Sequence, residues 1–186
     1  MFHLLVSLFL LLHPANNVPD ELRIKQHAEE LRTIAETDSF NTDFAILIDF
    51  SITSQYYRFF VVDLHNDSVL IRGLCGHGGG HKPYDENVEF SNVSGSELSS
   101  AGKYLIGSEF YGMFGSSYKL YGIDTTNSNA LNRGLVLHAY PTVHDEEWNH
   151  PTTLSNGCPM VSQHIFEQTA TLIDQSDLPI LMWIYK

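Results

Sequence analysis

Apolar positions near the N-terminus follow the spacing of an amphipathic helix. Between residues 21 and 37 they recur every three or four positions, and they are Ile24, Ala28, Leu31 and Ala35. Asp20, which precedes this run, belongs to the residue types that cap helix N-termini. We therefore predict an accessory helix that packs on the rest of the protein through its apolar face.

From residue 44 onward the pattern changes to short segments rich in Ile, Val, Phe and Tyr, which are typical of β-strands. We predict strands at residues 44–50, 57–64, 68–74, 103–106, 117–123, 135–140 and 179–185. One helical period interrupts them at residues 162–174, where Ser162 can cap a helix that buries Ile165, Phe166, Ala170 and Ile173. The pattern predicts a β-dominated α+β fold.

Two long polar stretches separate these elements, at residues 76–102 and 141–153. The first is too rich in Gly and Ser to form a regular element. Loops of this length in a compact domain are usually functional. The second contains Asp145, Glu146 and Glu147, which can meet a substrate amine or simply face solvent.

The first residues of the chain resemble a leader. Residues 4–12 are uniformly apolar except for one serine, which is too short for a membrane-spanning helix and suits the core of a signal peptide. An uncleaved anchor or a buried strand is the alternative. We predict a signal peptide or anchor at residues 1–18, the accessory helix region at 19–42 and a catalytic domain at 43–186, exported from the cytoplasm.

Charge narrows the range of partners. The chain has 186 residues, 22 acidic and 10 basic side chains and a net charge of −12. A chain of this charge repels phosphate backbones and anionic membrane surfaces, so we expect no nucleic-acid partner. The sequence leaves the oligomeric state open.

The candidate chemistry centres on one of the two cysteines. Cys158 follows Gly157, which permits a sharp turn and lets the amides of both residues point at a developing oxyanion. His138, at the end of an apolar run, is a candidate base for the thiol. Cys75 lies in an apolar context and is interpreted as a core residue.

Several motifs in order resemble the murein L,D-transpeptidase (YkuD-type) catalytic domain family. The sequence Ser155-Asn156-Gly157-Cys158-Pro159, preceded by His138, is similar to the catalytic signature of that family. Further similar segments are residues 44–51, 58–64, 76–78, 90–92 and 99–104. The resemblance implies a β-sandwich with a helix after the catalytic turn, and thioester chemistry on peptidoglycan stem peptides without a cofactor.

The resemblance also implies roles for single residues. Cys158 is the expected nucleophile and His138 its base, and the carbonyl of Ala139 is expected to orient the imidazole ring. We expect a depressed thiol pKa beside an imidazolium. We further expect that His138 lies within hydrogen-bond reach of Cys158 or a short rotation away, in a groove walled by the two polar stretches.

The expected substrate contacts are Ser155, Asn156, His77 and Tyr118. Each also has a purely structural interpretation: a turn serine, an unusual backbone angle at Asn156, and satisfied core residues at the other two positions. Many family members carry a large side chain where this chain has Asn156, and a basic or amide residue where it has Met160. These departures leave the nucleophile in place and concern substrate contacts.

Two other functions stay open at the sequence level. A zinc hydrolase would draw its ligands from His77, His81, His138, His144, His150 and Cys158, although none of them forms a recognised short ligand pair. For this reason we predict no metal site. A non-catalytic wall-binding module, in which the thiol is unused, is the third hypothesis.

Overall fold

The structure, a computed structural model, describes residues 21–82 and 87–186. The described residues contain two helices, α1 (Glu21–Asp38) and α2 (Gln163–Asp174). They also contain the strands β1 (Phe44–Asp49), β2 (Phe59–Asp63), β3 (Ser68–Gly73), β4 (Gly102–Gly112), β5 (Gly115–Gly122), β6 (Val136–Ala139), β7 (Met160–Val161) and β8 (Ile180–Tyr185). The predicted leader and the predicted cap Asp20 lie outside the described residues.

The strands form one mixed sheet in the order β3-β2-β1-β8-β4-β5-β6-β7. Most neighbours are antiparallel, but β1 pairs with β8 and β6 pairs with β7 in parallel. The sheet is curled, because Gly76, which follows β3 at one edge, pairs with Met160 of β7 at the other. The two edges therefore meet next to the turn that carries Cys158.

The two helices cover opposite faces of the sheet. Alternate residues of β1 belong to different apolar clusters, with Ala45 and Leu47 in the cluster of α1, and Ile46 and Ile48 in the cluster of α2. A strand that is buried on both faces has a continuous apolar sequence, which is what residues 44–48 show. The helix α1 thus packs on the sheet through the predicted face, Ile24, Ala28, Leu31 and Ala35.

The predicted β-dominated α+β fold is confirmed. The hydroxyl of Ser162 caps α2 by accepting from the amide of Ile165 at 3.2 Å, as predicted. The sequence did not predict the two-residue strand β7 or the extension of β4 to Gly112. Of the described helices, neither has the length and apolar character needed to cross a membrane.

Candidate active site

The hydroxyl of Ser155 braces the turn that carries Cys158. Its Oγ donates to the carbonyl oxygen of Cys158 at 2.6 Å and accepts from the amide of Gly157 at 3.1 Å. Gly157 itself has a φ of 120°, in the left-handed region that disfavours side chains. The turn therefore depends on the hydroxyl at one position and on the missing Cβ at another.

Two segments of the 76–102 stretch hold this turn from the side. Ser99, which is fully buried, accepts from the amide of Gly78 at 2.9 Å and donates to the carbonyl of Gly157 at 3.1 Å. A Cβ on Gly78 would lie 2.5 Å from the backbone of Glu97 and 2.7 Å from the Cα of Gly157. Only glycine at position 78 lets the three segments approach this closely.

His138 is held on β6 by its own strand and by an aromatic neighbour. Its Nδ1 lies 2.9 Å from the carbonyl oxygen of Ala139, so the contact predicted for that carbonyl is confirmed. The ring stacks on Phe114 with 4.1 Å between centroids, and the residue is only 1% exposed. Burial lowers the pKa of His138, and the hydrogen bond to Ala139 acts against that effect.

The sheet sets Cys158 beside the strand of His138. In the parallel pair of β6 and β7, His138 lies opposite Met160. Cys158 lies two residues before Met160, and Val136 lies two residues before His138. The sulfur is half-buried, 3.9 Å from the carbonyl of Gly134. Among the residues that the structure describes, no hydrogen bond joins the Cys158 sulfur to the His138 imidazole. The two residues by which Cys158 precedes Met160, the partner of His138, span roughly 6–7 Å along a strand.

The electrostatic state of the thiol differs from the prediction. Burial raises the pKa of Cys158, while the amide of Val136 and the charge of Arg133 act in the opposite direction. The expected depressed pKa is therefore wrong for this resting geometry, because desolvation outweighs the stabilising contacts. Both shifts favour the uncharged forms, a thiol and a neutral imidazole.

A cavity of about 340 Å³ lies next to residues that contact Cys158 and His138, although neither of the two is among its lining residues. Its lining is mostly apolar and includes Phe110, Met113, Phe114, Leu131, Leu135 and Val136. The cavity borders the sulfur through Gly134 and the imidazole through Phe114. The site thus combines a thiol, an oriented imidazole and an apolar hollow.

This combination agrees with a comparison of the whole sequence with known families. Residues 17–183 match the L,D-transpeptidase catalytic domain. The chain belongs to this family. A search of curated proteins found no match.

Solved structures that align with most of this chain include the helical cell shape determining protein Pgp2 and an L,D-transpeptidase. A point mutant of the helical cell shape determining protein Pgp2 from Campylobacter jejuni aligns over 91% of this chain and 57% of its own, with 12% identity and a TM-score of 0.51. Pgp2 without the mutation aligns over 86% of this chain and 56% of its own, with 11% identity and a TM-score of 0.50. An L,D-transpeptidase from Xylanimonas cellulosilytica aligns over 82% of this chain and 68% of its own, with 12% identity and a TM-score of 0.41. The chain thus spans little more than half of Pgp2, and identities this low concern the fold alone.

Two details of the L,D-transpeptidase turn differ from the sequence predictions. Two amides, those of Gly157 and Cys158, were predicted to face an oxyanion. The amide of Gly157 instead donates its hydrogen bond to the hydroxyl of Ser155. The unusual backbone angle lies at Gly157, whereas Asn156 is exposed and is not among the described non-glycine residues with positive φ. Asn156 is therefore not the strained position of the turn.

Tyr118 does not lie with the other predicted site residues. In the pairing of β5 with β6, Tyr118 is opposite Leu137 and Ser117 is opposite His138. Because side chains alternate along a strand, Tyr118 points to the opposite face from His138. Its hydroxyl donates to Asp174 of α2 at 2.7 Å, so the structural interpretation of Tyr118 holds and its prediction as a substrate contact is wrong.

The backbone of His77 contacts the cysteine turn, and its ring lies in the core. Its carbonyl accepts from the amide of Ser155 at 2.8 Å. Its Nδ1 accepts from the guanidinium of Arg58 at 2.8 Å, and the ring lies 5.7 Å from that of Phe50. Burial and then the charge of Arg58 lower the pKa of His77 to about 3, so the ring is neutral. His77 acts here as a buried structural residue.

The groove walls are also corrected by the structure. The 76–102 stretch contacts the turn as predicted, but the cavity is walled by the hairpin of β4 and β5 rather than by residues 141–153. In that second stretch, Glu146 and Glu147 bond to Tyr57. Among the residues described, no group of three or more His, Cys, Asp or Glu side chains is arranged to hold a metal ion.

Two site residues were missed by the sequence analysis. Phe114 was overlooked because it lies in the hairpin turn, although the two glycines at 112 and 115 around an apolar pair are a turn signal. Arg133 was included in a polar connection. Nothing in its local sequence marks it apart from its place just before the apolar run that leads to His138.

Proposed function

We propose that this chain is a peptidoglycan L,D-transpeptidase, or a closely related L,D-acting peptidase, in which Cys158 is the nucleophile and His138 the base. Membership of the L,D-transpeptidase catalytic domain family supports the reaction class. The observation that carries the assignment of residues is the parallel pairing of β6 with β7, because it brings the cysteine turn alongside the strand of His138.

The imidazole is the proton carrier in this mechanism. A carbonyl oxygen only accepts, so the contact with Ala139 requires the proton of the neutral ring on Nδ1 and leaves the lone pair on Nε2. In this scheme the Cys158 side chain turns toward the imidazole, and Nε2 takes the thiol proton as the sulfur attacks. The site therefore needs no acidic third member.

Acyl transfer then proceeds in two halves. The sulfur bonds to the carbonyl carbon of a stem-peptide bond, and the proton on Nε2 passes to the departing amine, which leaves a thioester on Cys158. An acceptor amine, or water, attacks the thioester and gives a proton to Nε2, and this proton returns to the sulfur. The amide of Cys158 is the oxyanion donor in this scheme, with Ser155 and Gly157 holding its orientation.

The surroundings of the thiol suit an apolar part of the donor peptide. The cavity lined by Phe114, Leu135 and Val136 is the place where groups next to the reacting carbonyl would lie. Asn156 is exposed at the rim and is the proposed polar contact. Stem peptides occur outside the cytoplasm, so we propose export directed by the apolar residues 4–12.

The test is incubation of the purified protein with muropeptides and mass analysis of the products. We expect cross-linked or trimmed stem peptides with the wild type and with Cys75→Ala, and none with Cys158→Ala. Cys75 is a suitable control because it is fully buried, which raises its pKa to about 12. Wall binding without turnover in all three proteins would instead favour a binding module, and equal loss in the two folded variants would refute the assignment.

A further inference from the structure

The guanidinium of Arg133 is fixed by neutral oxygen atoms of the 76–102 stretch. Its Nη1 donates to the carbonyl of Ser91 at 2.6 Å and to Oγ of Ser100 at 2.5 Å. Its Nη2 donates to Oγ of Ser96 at 3.1 Å and to the carbonyl of Leu98 at 2.6 Å. Four bonds in two directions hold a planar group in one orientation.

This fixed cation lies against the cysteine turn. A Cβ on Gly157 would be 3.4 Å from Nη2 of Arg133 and 3.1 Å from the carbonyl of Leu98, which accepts from the same nitrogen. Arg133 is only half-exposed, and within the described ranges, 21–82 and 87–186, it forms no ion pair with a carboxylate. Among the described residues the charge is therefore compensated by neutral acceptors alone, and an anion that forms next to it would be stabilised.

We propose that Arg133, held against Gly157 of the cysteine turn, stabilises the thiolate of Cys158 with its positive charge when His138 removes the thiol proton. The assignment rests on the proposed use of Cys158 as nucleophile. In this arrangement His138 carries the proton and Arg133 carries the compensating charge. The hydroxyls of Ser96 and Ser100 and the carbonyl of Ser91 serve the same end, because they accept hydrogen bonds from the guanidinium without neutralising its charge.

A first test uses the unmodified protein. A fixed cation beside the sulfur favours an anionic reagent over a neutral one, so the rates of Cys158 alkylation by iodoacetate and iodoacetamide are compared by mass analysis of the tryptic peptide. The reference is a synthetic peptide of residues 155–160. We expect the rate ratio of iodoacetate to iodoacetamide to exceed that of the peptide by about threefold at low salt, and to fall with added salt. The net charge of −12 works against this result, and a ratio no higher than that of the peptide overturns the proposal.

A second test removes the charge. In Arg133→Gln we expect the iodoacetamide rate at pH 7 to fall by about tenfold and the preference for iodoacetate to disappear. Arg133→Lys should keep most of that preference, because it keeps the charge and loses the planar fork. Arg72→Gln, which removes an exposed charge on β3, is the matched control and should leave both values unchanged.

Thermal unfolding identifies any variant that fails to fold. If Arg133→Gln does not fold, the reagent preferences of the wild type and of Arg133→Lys decide whether the proposal stands. A folded Arg133→Gln protein that keeps the preference for iodoacetate also overturns the proposal. These readouts concern the thiol alone. Absence of muropeptide turnover with the preference intact would count against the proposed function and not against the role of Arg133.

Discussion

The Nδ1 atom of His138 lies 2.9 Å from the carbonyl oxygen of Ala139, its neighbour on the same strand. The bond requires the proton of the neutral ring on the nitrogen that faces the backbone, so Nε2 is the basic atom. Burial lowers the pKa of His138, and the Ala139 bond acts in the other direction. A backbone carbonyl thus replaces the carboxylate that orients the histidine in many hydrolytic sites.

The lowered pKa of His138 predicts the acid limit of activity. In the proposed mechanism the neutral imidazole is the base, and a lowered pKa keeps it neutral below the ordinary value of 6.5. We expect kcat/KM for muropeptides to stay level as the pH falls through 6.5 and to decline only at lower pH. Phe114→Ala, which uncovers the ring, should move the acid limb upward. A wild-type limb above 6.5 would contradict the neutral-base mechanism.

Gly157→Ala should abolish turnover, because the added Cβ meets both an unfavourable backbone angle and closely packed neighbours. Any Cβ at this φ of 120° is strained, and this one would also lie 3.0 Å from Cδ2 of Leu135 and 3.1 Å from the carbonyl of Leu98. We expect loss of turnover and a fall in stability of about 1–3 kcal/mol. Gly95→Ala is the matched control, since Gly95 has a φ of 78° with open space around it. Equal effects of the two changes on turnover would show that the close packing at Gly157 is irrelevant.

The sequence is informative about elements that are long and buried. Residues 44–48 and 180–185 are nearly continuous apolar runs, and they form the parallel pair β1 and β8 at the centre of the sheet. The far half of β4 was not predictable in the same way. Its residues 107–109 are Gly, Ser and Glu, and the pairing with β5 is irregular there, so no periodic pattern continues through them.

The site could be predicted only as far as local motifs reach. The cysteine turn and the carbonyl after His138 are determined by consecutive residues; the predicted contact with Ala139 is present, and Ser155 bonds within the turn as its structural interpretation required. Tyr118 was misplaced because the face of a strand residue depends on register, which the sequence leaves open. Arg133 was missed because its partners lie 33 to 42 residues earlier in the chain.

Tyr118→Phe should affect stability and not catalysis. The hydroxyl donates to Asp174, which is exposed and regains water when the bond is lost, so we expect a cost of about 0.5–1.5 kcal/mol. Because Tyr118 faces away from His138, muropeptide turnover should match the wild type at a temperature where both proteins are folded. A specific rise in KM for this variant would restore Tyr118 as a substrate contact.

The pKa of His77 makes a prediction about acid stability. Burial, followed by the charge of Arg58, lowers this pKa to about 3 in the folded protein, whereas an unfolded histidine titrates near 6.5. Between these values the unfolded chain binds a proton that the folded protein does not. Stability is therefore unaffected by this group above pH 6.5 and is lost progressively as the pH falls toward 3.

The expected slope from His77 is about 1.4 kcal/mol per pH unit over that window, measured as the free energy of unfolding in urea at pH 7, 6, 5 and 4. His138, whose pKa is also lowered, adds to the slope with the same sign. His77→Asn keeps an acceptor for the Arg58 guanidinium and cannot titrate, so it should remove about one proton from the linkage. A slope in His77→Asn equal to that of the wild type would mean that His77 does not resist protonation in the folded protein.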